Sequence, residues 1–190
     1  MPAKHCRHKV NIQHMIETNR TTIRKISLAD APFIFELVNS TAWIRFIGNR
    51  NINNLEAAKQ YLRNGFLKYE THPGFSYYLA QTKDETPMGI CGFLKKPYLE
   101  YVDFGFAFIE KYHRQGYGYE VGHAVLAYGI EMYNFKTLDA VTHPDNLPSI
   151  GLLEKLGFQQ TDFIDIPEMQ RSKHFRWRAE TMSGEHHQPK

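Results

Sequence analysis

A chain of 190 residues is long enough for one domain with a sizeable core, and 42% hydrophobic and 14% aromatic content excludes an intrinsically disordered protein. A formal net charge of +3 is too small to argue for a nucleic-acid partner, and no apolar run approaches the roughly 20 residues of a membrane span. Two cysteines, Cys6 and Cys91, are too few for a disulfide framework, so a reducing, cytoplasmic setting is the simplest expectation.

Residues 1–19 are basic and histidine-rich, with Lys4, His5, Arg7, His8, Lys9 and His14, and they lack the apolar stretch of a signal peptide. His5, Cys6, His8 and His14 contain no pair at zinc-finger spacing, so the segment is expected as a solvated extension with no metal site. Residues 20–180 are expected to form a single domain, with 181–190 a frayed tail. The domain opens on 21–26, a β-branched alternation that reads as a strand. Ser27 or Asp30 can cap a following helix that carries Phe33, Phe35, Leu37 and Val38. Leu55, Ala58, Leu62 and Phe66 recur at helical spacing and predict a second helix over about 55–69. The pattern then switches to period two, and 75–80 and 88–94 read as a hairpin around a turn at 83–87.

Residues 101–109 form the next strand. Val102, Phe104, Phe106 and Phe108 point to one face; Tyr101, Asp103, Gly105, Ala107 and Ile109 point to the other. The second face is mostly small and leaves room for a ligand along the strand, whose unpaired backbone groups could bond an amide-bearing chain. The strand runs through Tyr112-His113-Arg114-Gln115-Gly116-Tyr117-Gly118-Tyr119-Glu120 into a helical run over 121–132. Strand, glycine turn and helix opening in that order suit a phosphate, because backbone N–H groups converge there and the helix dipole favours an anion. Gly116 and Gly118 spare the Cβ atoms that would hold a phosphate off, and Arg114 adds a positive charge. The turn lacks the Gly-Lys-Ser/Thr of a P-loop, and Gly122 stands one place beyond the third glycine of a Rossmann turn.

Beyond a strand at 137–142, Asn146 is a helix N-cap by type, and Gly157 is placed to stop the helix carrying Leu152, Leu153 and Leu156. Residues 158–164 and 174–178 read as the closing strands.

Two motifs in this order carry a family resemblance. His113-Arg114-Gln115-Gly116-Tyr117-Gly118 is similar to the pyrophosphate loop Q/R-x-x-G-x-G/A of the GNAT superfamily of N-acetyltransferases. His113 in the first slot resembles the ribosomal-protein (Rim-type) branch. Asn146-x-x-Ser149-x-x-Leu152-Leu153-Glu154-Lys155-Leu156-Gly157-Phe158 resembles the segment N-x-x-(A/S)-x-x-x-Y-x-K-x-G-F, with Leu153 in the tyrosine slot. The run W-I-R-F-I-G-N at 43–49 also looks like an early segment of Rim-type members. The resemblance covers about residues 20–178. It implies an α/β (α+β) GNAT-like acyl-CoA N-acyltransferase fold, a mixed, mostly antiparallel central sheet flanked by helices.

The same resemblance implies transfer of an acetyl group from acetyl-CoA to a primary amine, by direct attack in a ternary complex and without a metal. Asp103 matches the family's acidic position on this strand and is the expected general base; Glu100, on the opposite face, ranks second. An unperturbed Asp, at about 3.9, is a weak base, so burial or a water relay has to help. Ser149 resembles the hydroxyl proposed to assist the leaving thiolate. Backbone groups of Phe106, Ala107 and Phe108 are expected against the thioester if the strand splays or bulges. Arg114, Gln115, Gly116, Tyr117, Gly118 and Tyr119 are expected at the diphosphate, with Asn146 contacting pantetheine or substrate. The acceptor is expected to be a protein N-terminus or an amine-bearing small molecule such as a polyamine or antibiotic, shaped by 43–69 and 166–173. A monomer or homodimer is expected. A non-catalytic acyl-CoA-binding module, or a peptide- or RNA-binding domain using the basic N-terminal segment, are the other function classes.

Overall fold

The computed structural model describes residues 16–69, 75–166 and 170–179. The basic, histidine-rich run from Lys4 to His14, with Cys6, and the tail at 181–190 lie outside them. In chain order the elements are β1 (Ile16–Glu17), β2 (Thr21–Lys25), α1 (Ala31–Val38), α2 (Thr41–Phe46), α3 (Leu55–Asn64), β3 (Ser76–Thr82), β4 (Pro87–Leu94) and β5 (Val102–Phe108). They continue with α4 (Tyr117–Tyr133), β6 (Thr137–Thr142), α5 (Leu147–Lys155), β7 (Gln159–Ile166) and β8 (Gln170–Arg178). The strands make one sheet in the order β1-β2-β3-β4-β5-β6-β8-β7. Every neighbouring pair is antiparallel except β5 and β6, which are parallel and joined through α4. No described helix is long and apolar enough to cross a membrane.

Period-two patterning sorts the sheet's side chains into two cores. Phe93, Phe104 and Phe108 pack under α4 and α5 with Val121, Val125 and Leu153. Leu79, Ile90 and Ile109, from alternate positions, pack under α1 to α3 with Ile34, Leu37 and Leu62. Both faces are therefore covered, and the free Cys91 is fully buried in the first core, where burial pushes its thiol up.

Several boundaries differ from the sequence expectation for local reasons. Among the described residues the sheet already includes Ile16, inside the segment expected as an extension, because Ile16 pairs with Ile23 and enters the core. A strand of two residues, Ile16 and Glu17, is too short to show a period. The helix expected over 55–69 is α3 followed by a 3-10 turn at Leu67–Tyr69, because the chain leaves helical geometry at Gly65 (φ −105°, ψ −83°). Asn54 starts it, accepting from Ala57 N–H at 2.9 Å. The short α2, opened by Ser40 on Trp43 N–H, spans too few turns to show a helical period. Much of 166–173, expected to shape the acceptor, is strand: β7 runs to Ile166 and β8 starts at Gln170.

Candidate active site

The one parallel junction in the sheet is also its gap. β5 and β6 pair only at Val102↔Leu138 and Asp103↔Asp139, and the two strands part beyond that rung. Ile109 N–H donates to Met88 O at 2.9 Å, which turns the backbone groups of alternate residues toward β4. The C=O of Phe104 and both the N–H and C=O groups of Phe106 and Phe108 therefore face the open side, while the Phe104 N–H serves the Asp103↔Asp139 rung. One of these is taken: the His113 ring Nε2 lies 2.8 Å from Phe108 O and fastens the strand end to the loop that follows. The splay required for backbone donors near Phe106 is thus present.

Downstream, the loop enters α4 through two left-handed residues, Arg114 (φ 59°) and Gly116 (φ 83°). The second is the helix N-cap, where glycine removes the steric cost of that conformation. No side chain caps the helix, and its first internal bond runs from Glu120 N–H to Gly116 O at 3.1 Å. The N–H groups of the first turn thus have no intrahelical partner and open on a concavity of about 850 Å³. Arg114, Gly116, Gly118 and Tyr119 line it at this end, and Phe106, Ala107 and Phe108 line its strand side. The side chains of Gln115 and Tyr117 do not. Gln115 Nε2 donates back to Lys111 O at 2.6 Å, and the Tyr117 ring packs edge-on to Tyr112 at 5.7 Å. What these two can offer an anion is backbone. Gly118 has a further duty, since a Cβ there would lie 3.0 Å from Leu152 Cδ2 and hold α5 off α4.

A second cavity, of about 440 Å³, adjoins the first and shares Phe46, Ile47, Phe106, Asn146 and Ser149 with it. Asp103 stands in its wall, 5% exposed, with no hydrogen bond or ion pair to its carboxylate among the described residues. Burial pushes it up to about 6, the charge on Asp139 acts in the same direction, and Lys96 opposes both. Asp139 is more deeply buried still, yet its acidity moves the other way. Burial alone would raise it, but Arg176 Nε at 2.9 Å and Tyr101 N–H at 3.0 Å hold the carboxylate ionised. Glu100, the second-ranked base, is paired with Arg176 at 3.0 Å and lines neither cavity.

At the opening of α5, Asn146 Oδ1 accepts from Ser149 N–H at 3.2 Å. The cap uses that oxygen and leaves the Asn146 amide N–H groups and the Ser149 hydroxyl uncommitted among the described residues. Leu153, in the slot where the family pattern has tyrosine, is 1% exposed and belongs to the core.

The small-residue side of β5 is not empty. Tyr77, Gly92 and Gly105 are aligned across β3, β4 and β5, and the Tyr77 hydroxyl occupies the space a Cβ at Gly105 would need. Room for a ligand is therefore centred in the gap between β5 and α5, and it reaches the small face only at Asp103, Gly105 and Ala107, which line the two cavities. Two glycines in register opposite a tyrosine are the signal that could have placed Tyr77 in this wall. Phe46, Arg50 and Lys96 also line the second cavity, and no periodicity marks them.

The sequence pattern of the acetyltransferase (GNAT) domain matches residues 20–159. The uncharacterized N-acetyltransferase YoaA of Bacillus subtilis is 27% identical over 148 residues, 77% of this chain and 83% of that protein. Among solved structures, the spermidine N-acetyltransferase of Vibrio cholerae in complex with CoA and spermine aligns with a TM-score of 0.70 at 14% identity, over 85% of this chain and 96% of that one. The ribosomal-protein-S5-alanine acetyltransferase of Vibrio fischeri aligns with a TM-score of 0.67 at 15% identity, over 87% and 96%. The fold, the glycine loop and the domain match agree, and the chain belongs to the GNAT family of acetyltransferases.

Proposed function

We propose that the protein moves the acetyl group of acetyl-CoA to the α-amine of a protein or peptide chain, by direct attack in a ternary complex in the cytoplasm. The observation that carries this reading is the parting of β5 and β6 after Asp103. It supplies a slot with unpaired amides at one end, exposed strand backbone along its length and a buried carboxylate at the other. A diphosphate fits the first turn of α4 beside Arg114, and an amide-bearing arm fits against Phe104 to Phe108 as an added strand would.

In the transfer, the neutral amine attacks the thioester carbonyl carbon, a C–N bond forms and the C–S bond breaks. The surplus ammonium proton passes to Asp103, directly or through water. At about 6, Asp103 is a stronger base than an ordinary aspartate and is still ionised at neutral pH. Phe106 N–H is the donor to the carbonyl oxygen as charge develops there. The Ser149 hydroxyl donates to the departing thiolate, which then takes a proton from solvent.

Two features favour an α-amine over a polyamine. An α-amine, at about 8, gives up its proton more readily to such a base than an alkylamine at about 10.4. The second cavity, which takes the acceptor in this reading, also carries Lys96 in its wall with Asp103. A polycation gains little from that wall. Acetyl-CoA-dependent thiol release tests the proposal on peptides with free N-termini, their Nα-blocked counterparts and spermidine. Free peptides should turn over fastest and blocked ones not at all; faster turnover of spermidine would overturn the acceptor assignment.

A further inference from the structure

The loop that enters α4 is held from behind by a residue far away in sequence. Arg20, in the turn between β1 and β2, donates from Nε to Glu120 Oε2 at 2.7 Å and from its backbone N–H to Glu120 Oε1 at 2.9 Å. Its Nη1 donates to Gln115 O at 3.0 Å, and its Cζ lies 4.2 Å from the centre of the Tyr117 ring. Its Nη2 lies 3.3 Å from where a Cβ on Gly116 would stand. Thr18, in the same turn, donates its hydroxyl to Glu120 Oε1 at 2.6 Å. One hairpin thus grips three consecutive parts of the loop: Gln115, Tyr117 and Glu120.

Glu120 gives this grip its meaning. A carboxylate in the first turn suits an isolated helix, but it opposes any anion brought to the same N-terminus. Burial would raise Glu120, yet the Thr18 hydroxyl and the Arg20 backbone and guanidinium hold it ionised. Arg20 and Tyr117 line neither cavity, so Arg20 does not reach into the cleft.

We infer that Arg20 is a positioning residue for coenzyme binding: it cancels the Glu120 charge behind the helix opening and fixes the two left-handed residues that aim the loop's N–H groups. This rests on the reading of the loop as the diphosphate cradle. Arginine suits the role because its planar fork meets a carboxylate and a carbonyl together, which a lysine cannot reproduce.

The test compares full-length wild type, Arg20→Gln, Arg20→Lys and the double variant Arg20→Gln/Glu120→Gln, by calorimetric CoA binding and by acetyl-transfer kinetics. Arg20→Gln should raise Kd for CoA and KM for acetyl-CoA about 10-fold or more, the loss expected when a charge-assisted contact is removed and its partner is left behind. The kcat at saturating acetyl-CoA should stay within about two-fold, because binding and not chemistry is affected. Arg20→Lys should fall between. The double variant should bind more tightly than Arg20→Gln, because the stranded carboxylate is gone; a loss caused only by loosened packing would not recover. If Arg20→Gln does not fold, Arg20→Lys against wild type carries the test on the same Kd. Equal Kd values for wild type and the Arg20 variants, or a double variant no better than Arg20→Gln, would overturn the inference and leave the cradle standing. A wild type that binds no CoA would overturn the cradle itself, and this inference with it.

Discussion

Asp103 and Asp139 are register partners on the last rung that joins β5 to β6, and their surroundings pull their proton affinities apart. Arg176 and Tyr101 N–H hold Asp139 ionised, while Asp103 has only the more distant pull of Lys96 against its burial and is pushed up to about 6. Two carboxylates in such contrasting settings divide into a structural anion and a group that can exchange protons near neutrality.

The first prediction concerns Asp103 as base. It must be ionised to act, so kcat should rise with pH through about 6 and level off above it. Asp103→Asn should lower kcat by about 100-fold or more and abolish that limb, since a positioned general base contributes about 10² to 10⁴ in rate. Full turnover of Asp103→Asn across the pH range would remove the assignment.

Stability should move the opposite way. The folded state holds this proton more tightly than the unfolded chain, so the stability it confers is present in acid and is lost as the pH rises through about 6. A displacement from the ordinary 3.8 to about 6 corresponds to about 3 kcal/mol. Asp103→Asn should therefore unfold at a higher temperature than wild type at pH 8, and the two should converge toward pH 4. Calorimetric melting at both pH values checks this, and a variant less stable at pH 8 would contradict it.

Lys96 supplies a second handle on the same proton. It lowers the proton affinity of Asp103, so Lys96→Met should carry the acidic limb of the kcat profile to higher pH. An unmoved limb, measured under the same salt conditions, would mean that another group sets it.

Asn146 and Ser149 can be separated by kinetics. Serine caps helices about as well as asparagine, so Asn146→Ser should change stability by less than about 0.5 kcal/mol. It removes the amide donors and should raise KM for acetyl-CoA. Ser149→Ala should lower kcat about 10- to 100-fold, the worth of a hydrogen bond to a charged group, with KM for acetyl-CoA nearly unchanged. If Ser149→Ala instead changes only KM, the hydroxyl binds ground state and leaving group alike.

The Tyr77–Gly105 contact predicts a coupled pair. Gly105→Ala drives a Cβ into the Tyr77 hydroxyl and should cost about 1–3 kcal/mol. Tyr77→Phe removes the atom in the way, so the double variant should recover part of that loss in denaturant titration. Simple addition of the two single effects would show that the clash is relieved elsewhere.

The parts of this architecture legible in the sequence were those written in periodicity and turn chemistry. The split of β5 into Phe104 and Phe108 on one face and Ala107 and Ile109 on the other follows from alternation alone, and the structure sends them to separate cores. The glycine loop and the Asn146 cap were marked by residue type at a given place in that order, and Asp103 by the family resemblance. The depth at which Asp103 is buried was not, because it depends on which elements close over it. Arg20 carried no signal, since its partners lie 95 and 100 residues away and only the β1–β2 turn brings them together. Tyr77 looked like an ordinary strand residue until register placed it opposite two glycines.

Every role assigned above depends on a diphosphate at the opening of α4 and a thioester arm in the gap between β5 and α5. A crystal structure of the protein soaked with CoA measures both directly. Diphosphate oxygens are expected within hydrogen-bond distance of the backbone N–H groups at Gly116 to Tyr119, and pantetheine amides bonded to the strand at Phe104 to Phe108. A diphosphate held elsewhere, or a cleft left empty at saturating coenzyme, would contradict this placement.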